Sequence, residues 1–109
     1  MITVTVFRDG EAPVGVHVTG HAGCGAYGED LVCAAVSAVV QTAILGITDV
    51  LNLNAGVSIE EGDTTCILDR DTSESELKQA RIVFETMETG LRSIQASYPK
   101  TLKFRSKEV

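Results

Sequence analysis

The sequence predicts an α/β domain of the α+β kind, ordered ββαββα with an optional last strand. A mixed or antiparallel sheet packs against two long helices, one of them very apolar. Three observations lead there. Two pairs of alternating segments are each joined by turn residues, a long apolar segment lies between the pairs, and an amphipathic segment runs from Ser73 to Pro99. At 109 residues the chain has the length of one domain, residues 1–109, with a single core.

From Ile2 to Arg8, Ile2, Val4 and Val6 face one way and Thr3, Thr5 and Phe7 the other, the period of a strand. Asp9-Gly10 and Pro13 signal a turn, and Val14 to Thr19 alternates again, so the two segments form an antiparallel hairpin. A helix is expected from about Leu31 to about Asn52, with Asp30 as its N-cap. Apolar side chains cover most of its circumference, whereas Cys33, Ser37 and Gln41 recur every four residues as a polar stripe. Val57–Glu61 and Thr64–Asp69 make a second hairpin across Gly62-Asp63. Ser73 and Glu76 form a capping box. The helix they open carries Leu77, Ala80, Phe84, Met87, Leu91, Ile94 and Tyr98 on one face and ends at Pro99. Leu102 to Phe104 offers a short last strand.

Composition sets outer bounds. The formal net charge of −6, with only the scattered Lys100, Lys103, Arg105 and Lys107 near the end, argues against a nucleic-acid partner. Three cysteines and a start without a basic leader fit a cytoplasmic protein with reduced thiols. No apolar stretch is expected to reach the ~18 residues of a membrane span. His17, His21, Cys24 and Cys33 are enough ligands for zinc, but their spacing is not that of a zinc site and no CxxC occurs, so neither metal nor cofactor is expected.

The chemistry concentrates between Gly20 and Ser37. Gly20, Gly23, Gly25 and Gly28 fall within nine residues, more than a strand-to-helix connection needs. Such a loop is expected to be mobile over a site. A helix N-terminus and a nearby imidazole both favour a thiolate, the reactive form of cysteine. Cys33 is thus a candidate nucleophile and His21 its base, the catalytic pair. Asp30 serves as a cap or orients His21. Ser37 either bonds back to a helix carbonyl or donates to the thiolate or a substrate carbonyl. Cys66 falls in a strand pattern and reads as core, and Cys24 is a conceivable redox partner of Cys33. From the residues alone, a thiol hydrolase or transferase, a non-catalytic binding module and a thiol redox protein all stay open.

Gly20-His21-Ala22, seven residues, Asp30, two residues, Cys33-Ala34-Ala35, one residue, Ser37, then Gln41-Thr42, resembles the signature of the ribosomal-processing cysteine protease family, Prp. The similarity spans nearly the whole chain. The resemblance implies a homodimeric cysteine endopeptidase that removes the N-terminal extension of a large-subunit ribosomal protein, bL27, during ribosome maturation. It implies Cys33 as nucleophile, His21 as base, Asp30 and Ser37 as supporting residues, and the segment with Gly20, Ala22, Gly23, Gly25 and Gly28 as a substrate loop. The alternative is a non-catalytic ribosome-assembly or regulatory binding protein. The apolar first helix leads us to expect a homodimer with Val36, Val40 and Ile44 or Leu45 at or near the subunit contact, since obligate contacts are apolar.

Overall fold

The computed structural model describes residues 1–20 and 29–109, with the backbone alone for Glu29 and Asp30. Alternating Val and Thr residues build strands β1 (Ile2–Asp9) and β2 (Ala12–Thr19), which pair antiparallel. Pro13 lies inside β2 and not in the turn. The register slips at Phe7/Arg8, so that Phe7 faces Gly15 and Arg8 faces Pro13. A bulge tolerates a residue without an N–H, which is why the strand absorbs the proline.

Helix α1 (Glu29–Leu45) begins two residues before Leu31, which places Asp30 in its first turn instead of on its cap. Past Leu45 the helix widens into a π-helical turn, Gly46–Val50, whose i+5 bond runs from Leu51 N–H to the Gly46 carbonyl at 2.9 Å. A Cβ on Gly46 would stand 3.2 Å from Val83 Cγ1, so this glycine lets α1 approach its neighbour helix closely.

Strands β3 (Ala55–Glu60) and β4 (Asp63–Leu68) form the second hairpin, turning at Glu61 and Gly62. Helix α2 (Glu74–Ser97) buries Ala80, Phe84, Met87 and Leu91. The last strand, β5 (Leu102–Glu108), is longer than its sequence suggests and runs parallel to β1. The sheet order is β3-β4-β2-β1-β5, mixed because of the β1/β5 pair. The fold class is therefore the one expected.

Both helices cover one face of the sheet. Val4, Val16 and Cys66 from the strands meet Val32, Val40 and Ile47 from the first helical run and Phe84 and Leu91 from α2 in one buried cluster. Val36, Val40 and Ile44 are only 2–3% exposed within this cluster, so they are core residues and not a subunit contact. Sheet and α2 together cover the inner side of α1, while Leu31 and Leu45 stay exposed on its outer side. Leu31–Val50, with mean hydropathy 2.1, is after all long and apolar enough to cross a membrane. The run is interrupted by Ser37, Gln41, Thr42, Thr48 and Asp49, and its inner side is the core of the domain.

The capping box is present. The Ser73 hydroxyl accepts from Glu76 N–H, and Glu76 Oε1 accepts from Ser73 N–H at 2.9 Å. These bonds hold the Glu76 carboxyl below its ordinary pKa. A depressed carboxylate stabilises the fold above its unfolded pKa, and this contribution is lost as pH falls through the folded value. Ser73→Ala is expected to lower stability by about 1 kcal/mol at neutral pH, read as a fall in the urea midpoint without a change in slope.

Candidate active site

Cys33 lies one turn into α1, partly buried, where the polar stripe of the helix meets the sheet. Beside it is an open cleft of about 380 Å³. Cys33, Ser37 and Gln41 supply its helical wall, with Ser37 and Gln41 exposed. Val18 and Gly20 come from the end of β2 and the residue after it, and Ile59 to Thr64 supply the opposite rim. The four-residue spacing of the stripe thus does place three side chains on one wall.

Gly20 ties the cleft together. It has φ +89°, and a Cβ there would come within 2.6 Å of the Met1 carbonyl oxygen, so only glycine fits. Its N–H donates to the Gly62 carbonyl at 3.0 Å, joining the start of the glycine-dense segment to the β3–β4 turn. His21 follows Gly20 in the chain but lies outside the described residues, as do Ala22, Gly23, Cys24, Gly25 and Gly28 and the Asp30 side chain. The structure therefore brings together Cys33, Ser37 and Gly20 of the expected set.

The rim formed by Glu60, Glu61, Gly62, Asp63 and Thr64 was not singled out from the sequence. Its place depends on β4 pairing with β2, a contact between segments more than forty residues apart that leaves no local pattern. The two described cysteines differ sharply. Cys66 is fully buried opposite Val16, and burial pushes its thiol up to about 11, so it stays protonated and sheltered at neutral pH.

His17 is not part of the cleft. Its Nε2 lies 2.7 Å from Asp63 Oδ1, and it lines a hollow with Thr5 and Phe7 on the uncovered side of the sheet. Of the zinc set considered from sequence, His17 and Cys33 thus lie on different faces of the sheet, while His21 and Cys24 lie outside the described residues. Among the described residues no group of three His, Cys, Asp or Glu side chains could hold a metal.

The profile of the family described as cysteine protease Prp matches residues 1–103. This chain belongs to the Prp cysteine protease family. It is accordingly a cysteine-type peptidase, and the non-catalytic and redox readings give way. A Prp relative, the ribosomal processing cysteine protease of Staphylococcus aureus, is 30% identical over 109 residues, covering 98% of this chain and all of that protein. The crystal structure of the S. aureus Prp with a covalently linked product peptide superposes with a TM-score of 0.81 at 25% identity, over 98% of this chain and 100% of that one. SMU.848 from Streptococcus mutans shares the fold, with a TM-score of 0.83 at 24% identity over 100% of this chain and 96% of that one.

Proposed function

We propose that this Prp-family peptidase uses Cys33 as nucleophile and His21 as base to remove the N-terminal extension of the large-subunit ribosomal protein bL27 in the cytoplasm. One observation carries the catalytic assignment. Cys33 stands in a cleft whose wall includes Gly20, the residue immediately before His21 in the chain, so the proposed base is tethered one residue from the wall that holds the thiol. The S. aureus relative, named for ribosomal processing, supports the substrate class.

The chemistry follows that of an activated thiol. His21 takes the Cys33 proton, and the thiolate sulfur attacks the scissile carbonyl carbon. The tetrahedral intermediate collapses with the amine leaving on the proton held by His21. Water then hydrolyses the thioester, returning the thiol and releasing the new carboxylate. Ser37, one helical turn beyond Cys33 on the same wall, would donate to the substrate carbonyl. The test is a synthetic peptide spanning the host's own bL27 extension and the first mature residues. One cut, located by mass spectrometry at the extension boundary, is expected; an intact peptide after prolonged incubation overturns the substrate assignment.

Asp30 would stabilise the protonated His21. In the first turn of α1 its charge also favours the helix by roughly 0.3–1 kcal/mol. Asp30→Asn is therefore expected to lower turnover by at least about tenfold while shifting the melting temperature by only a few degrees. Full activity in that variant would leave Asp30 a purely helical role.

Of the residues expected at the homodimer contact, Leu45 alone is exposed, and the dimer reading centres on its side of α1. Leu45 on α1 is 54% exposed and Ile82 on α2 is 69% exposed. Between the helices runs an apolar groove of about 430 Å³ with Ala38, Val39, Thr42, Val83 and Thr86 along it. A twofold contact on this groove would cover both exposed side chains. Ile82→Glu is expected to convert a dimer of about twice the 11.6 kDa chain mass into a monomer by light scattering. A wild type that is already monomeric at micromolar concentration excludes the contact.

A further inference from the structure

The chain is acidic overall, yet its cations are not evenly spread. Four of its nine Lys and Arg residues fall between residues 100 and 107. In β5, Leu102 and Phe104 turn inward, with the Arg92 guanidinium 4.2 Å over the Phe104 ring. Lys103, Arg105 and Lys107 alternate with them and so point from the face that no helix covers. All three are exposed, and none makes an ion pair among the described residues, whereas Arg8, Arg81 and Arg92 each do.

The register sets other side chains beside this row. Lys103 lies opposite Thr3, Arg105 opposite Thr5 and Lys107 opposite Phe7. On the next strand His17 lies opposite Thr5. Phe7 faces Gly15, which has no side chain to cover the ring. Phe7, His17, Arg105 and Lys107 together edge a hollow of about 480 Å³.

From these positions, we propose that the uncovered sheet face along β5 binds single-stranded nucleic acid, a function separate from peptide cleavage. The cations span roughly 13 Å along the strand and would follow the phosphates, while the half-buried Phe7 ring offers a stacking platform for a base. The Phe7 ring beside the cation row suits a strand of bases, which can stack on the ring while its phosphates follow the row, whereas a polyglutamate stretch would engage the cations alone. A membrane surface is disfavoured because the row lacks apolar anchors.

The net charge of −6 does not oppose this locally. The backbone of Asp63 lies three strands from β5, about 14 Å away by strand spacing, and its carboxylate is held 2.7 Å from His17 Nε2, which offsets its charge at that end of the hollow. The Glu108 carboxylate accepts from Gly10 N–H. Asp9 stands two residues beyond Phe7 at the turn, so Lys107 is the most shielded of the three cations.

The test is fluorescence anisotropy with a labelled oligouridylate in about 50 mM salt. Binding is expected, with log affinity falling against log salt at a slope near −2 for about three phosphate contacts. The combined variant Lys103→Ala/Arg105→Ala/Lys107→Ala should weaken binding at least about tenfold and flatten that slope, with unchanged melting temperature and peptide hydrolysis. Phe7→Leu should weaken binding about fivefold or more at an unchanged slope. No binding by the wild type, or equal binding by the triple variant, overturns the proposal. Poly-glutamate that competes as well as RNA of equal charge also overturns it, and reassigns the face to an acidic protein partner.

Discussion

Cys33→Ala is expected to abolish peptide cleavage, lowering turnover by at least about 10⁴-fold, as loss of a covalent nucleophile does. The fold should survive, because alanine suits a helix and the side chain is only partly buried at the edge of the core. A stability loss of about 1 kcal/mol is the expected scale for trimming one atom there. Cys33→Ser should be nearly as inactive, since a hydroxyl is far harder to ionise than a thiol at neutral pH. Cleavage is read by mass spectrometry of the peptide products and the fold by circular dichroism. Appreciable turnover by either variant at wild-type fold content would assign the nucleophile to another residue. Cys66 is a poor candidate for that role: it is fully buried and its thiol is raised to about 11.

The second large effect is that of His21→Ala, expected to reduce turnover by about 10²–10⁴-fold, the usual cost of removing a general base. The thiol remains, so a second readout separates activation from structure. Alkylation of Cys33 by iodoacetamide, followed against pH, should move to higher pH in the variant because the imidazole no longer assists ionisation. Cys66 provides an internal standard and should resist alkylation in both proteins until they unfold. Superimposed pH profiles would mean that His21 does not act on Cys33, whatever happens to turnover.

Different parts of this protein were legible in the sequence to different degrees. Alternation in Ile2–Arg8 and Val14–Thr19 and the three- and four-residue recurrence from Leu77 to Ile94 are local patterns, and strands and helix appear where they require. The Ser73/Glu76 box is local as well, since both partners lie within one helical turn. Strand β5 was less legible. Beyond Leu102 and Phe104 its residues are polar or charged, because it is an edge strand with one face in water. Pairing to β1 carries it to Glu108. The π-helical turn after Leu45 was not legible either, since no residue pattern in Gly46–Val50 marks it.

By itself the sequence determined the fold class, the element types, the capping of α2, and the stripe that sets Cys33, Ser37 and Gln41 on one side of α1. All depend on residues a few positions apart, whose geometry follows from helical and strand periodicity. Only the tertiary structure decided the strand order, the hairpin rim opposite Cys33, and which apolar residues of α1 are core. Val36, Val40 and Ile44 carry the same pattern whether a sheet or a second subunit covers them, and here sheet and α2 do so. The rim exists because β4 adds to β2 across an intervening helix, which brings Asp63 opposite Thr19. Such long-range pairing depends on the chain closing on itself and on burial gained across the whole core, and neither is written in any local run of residues.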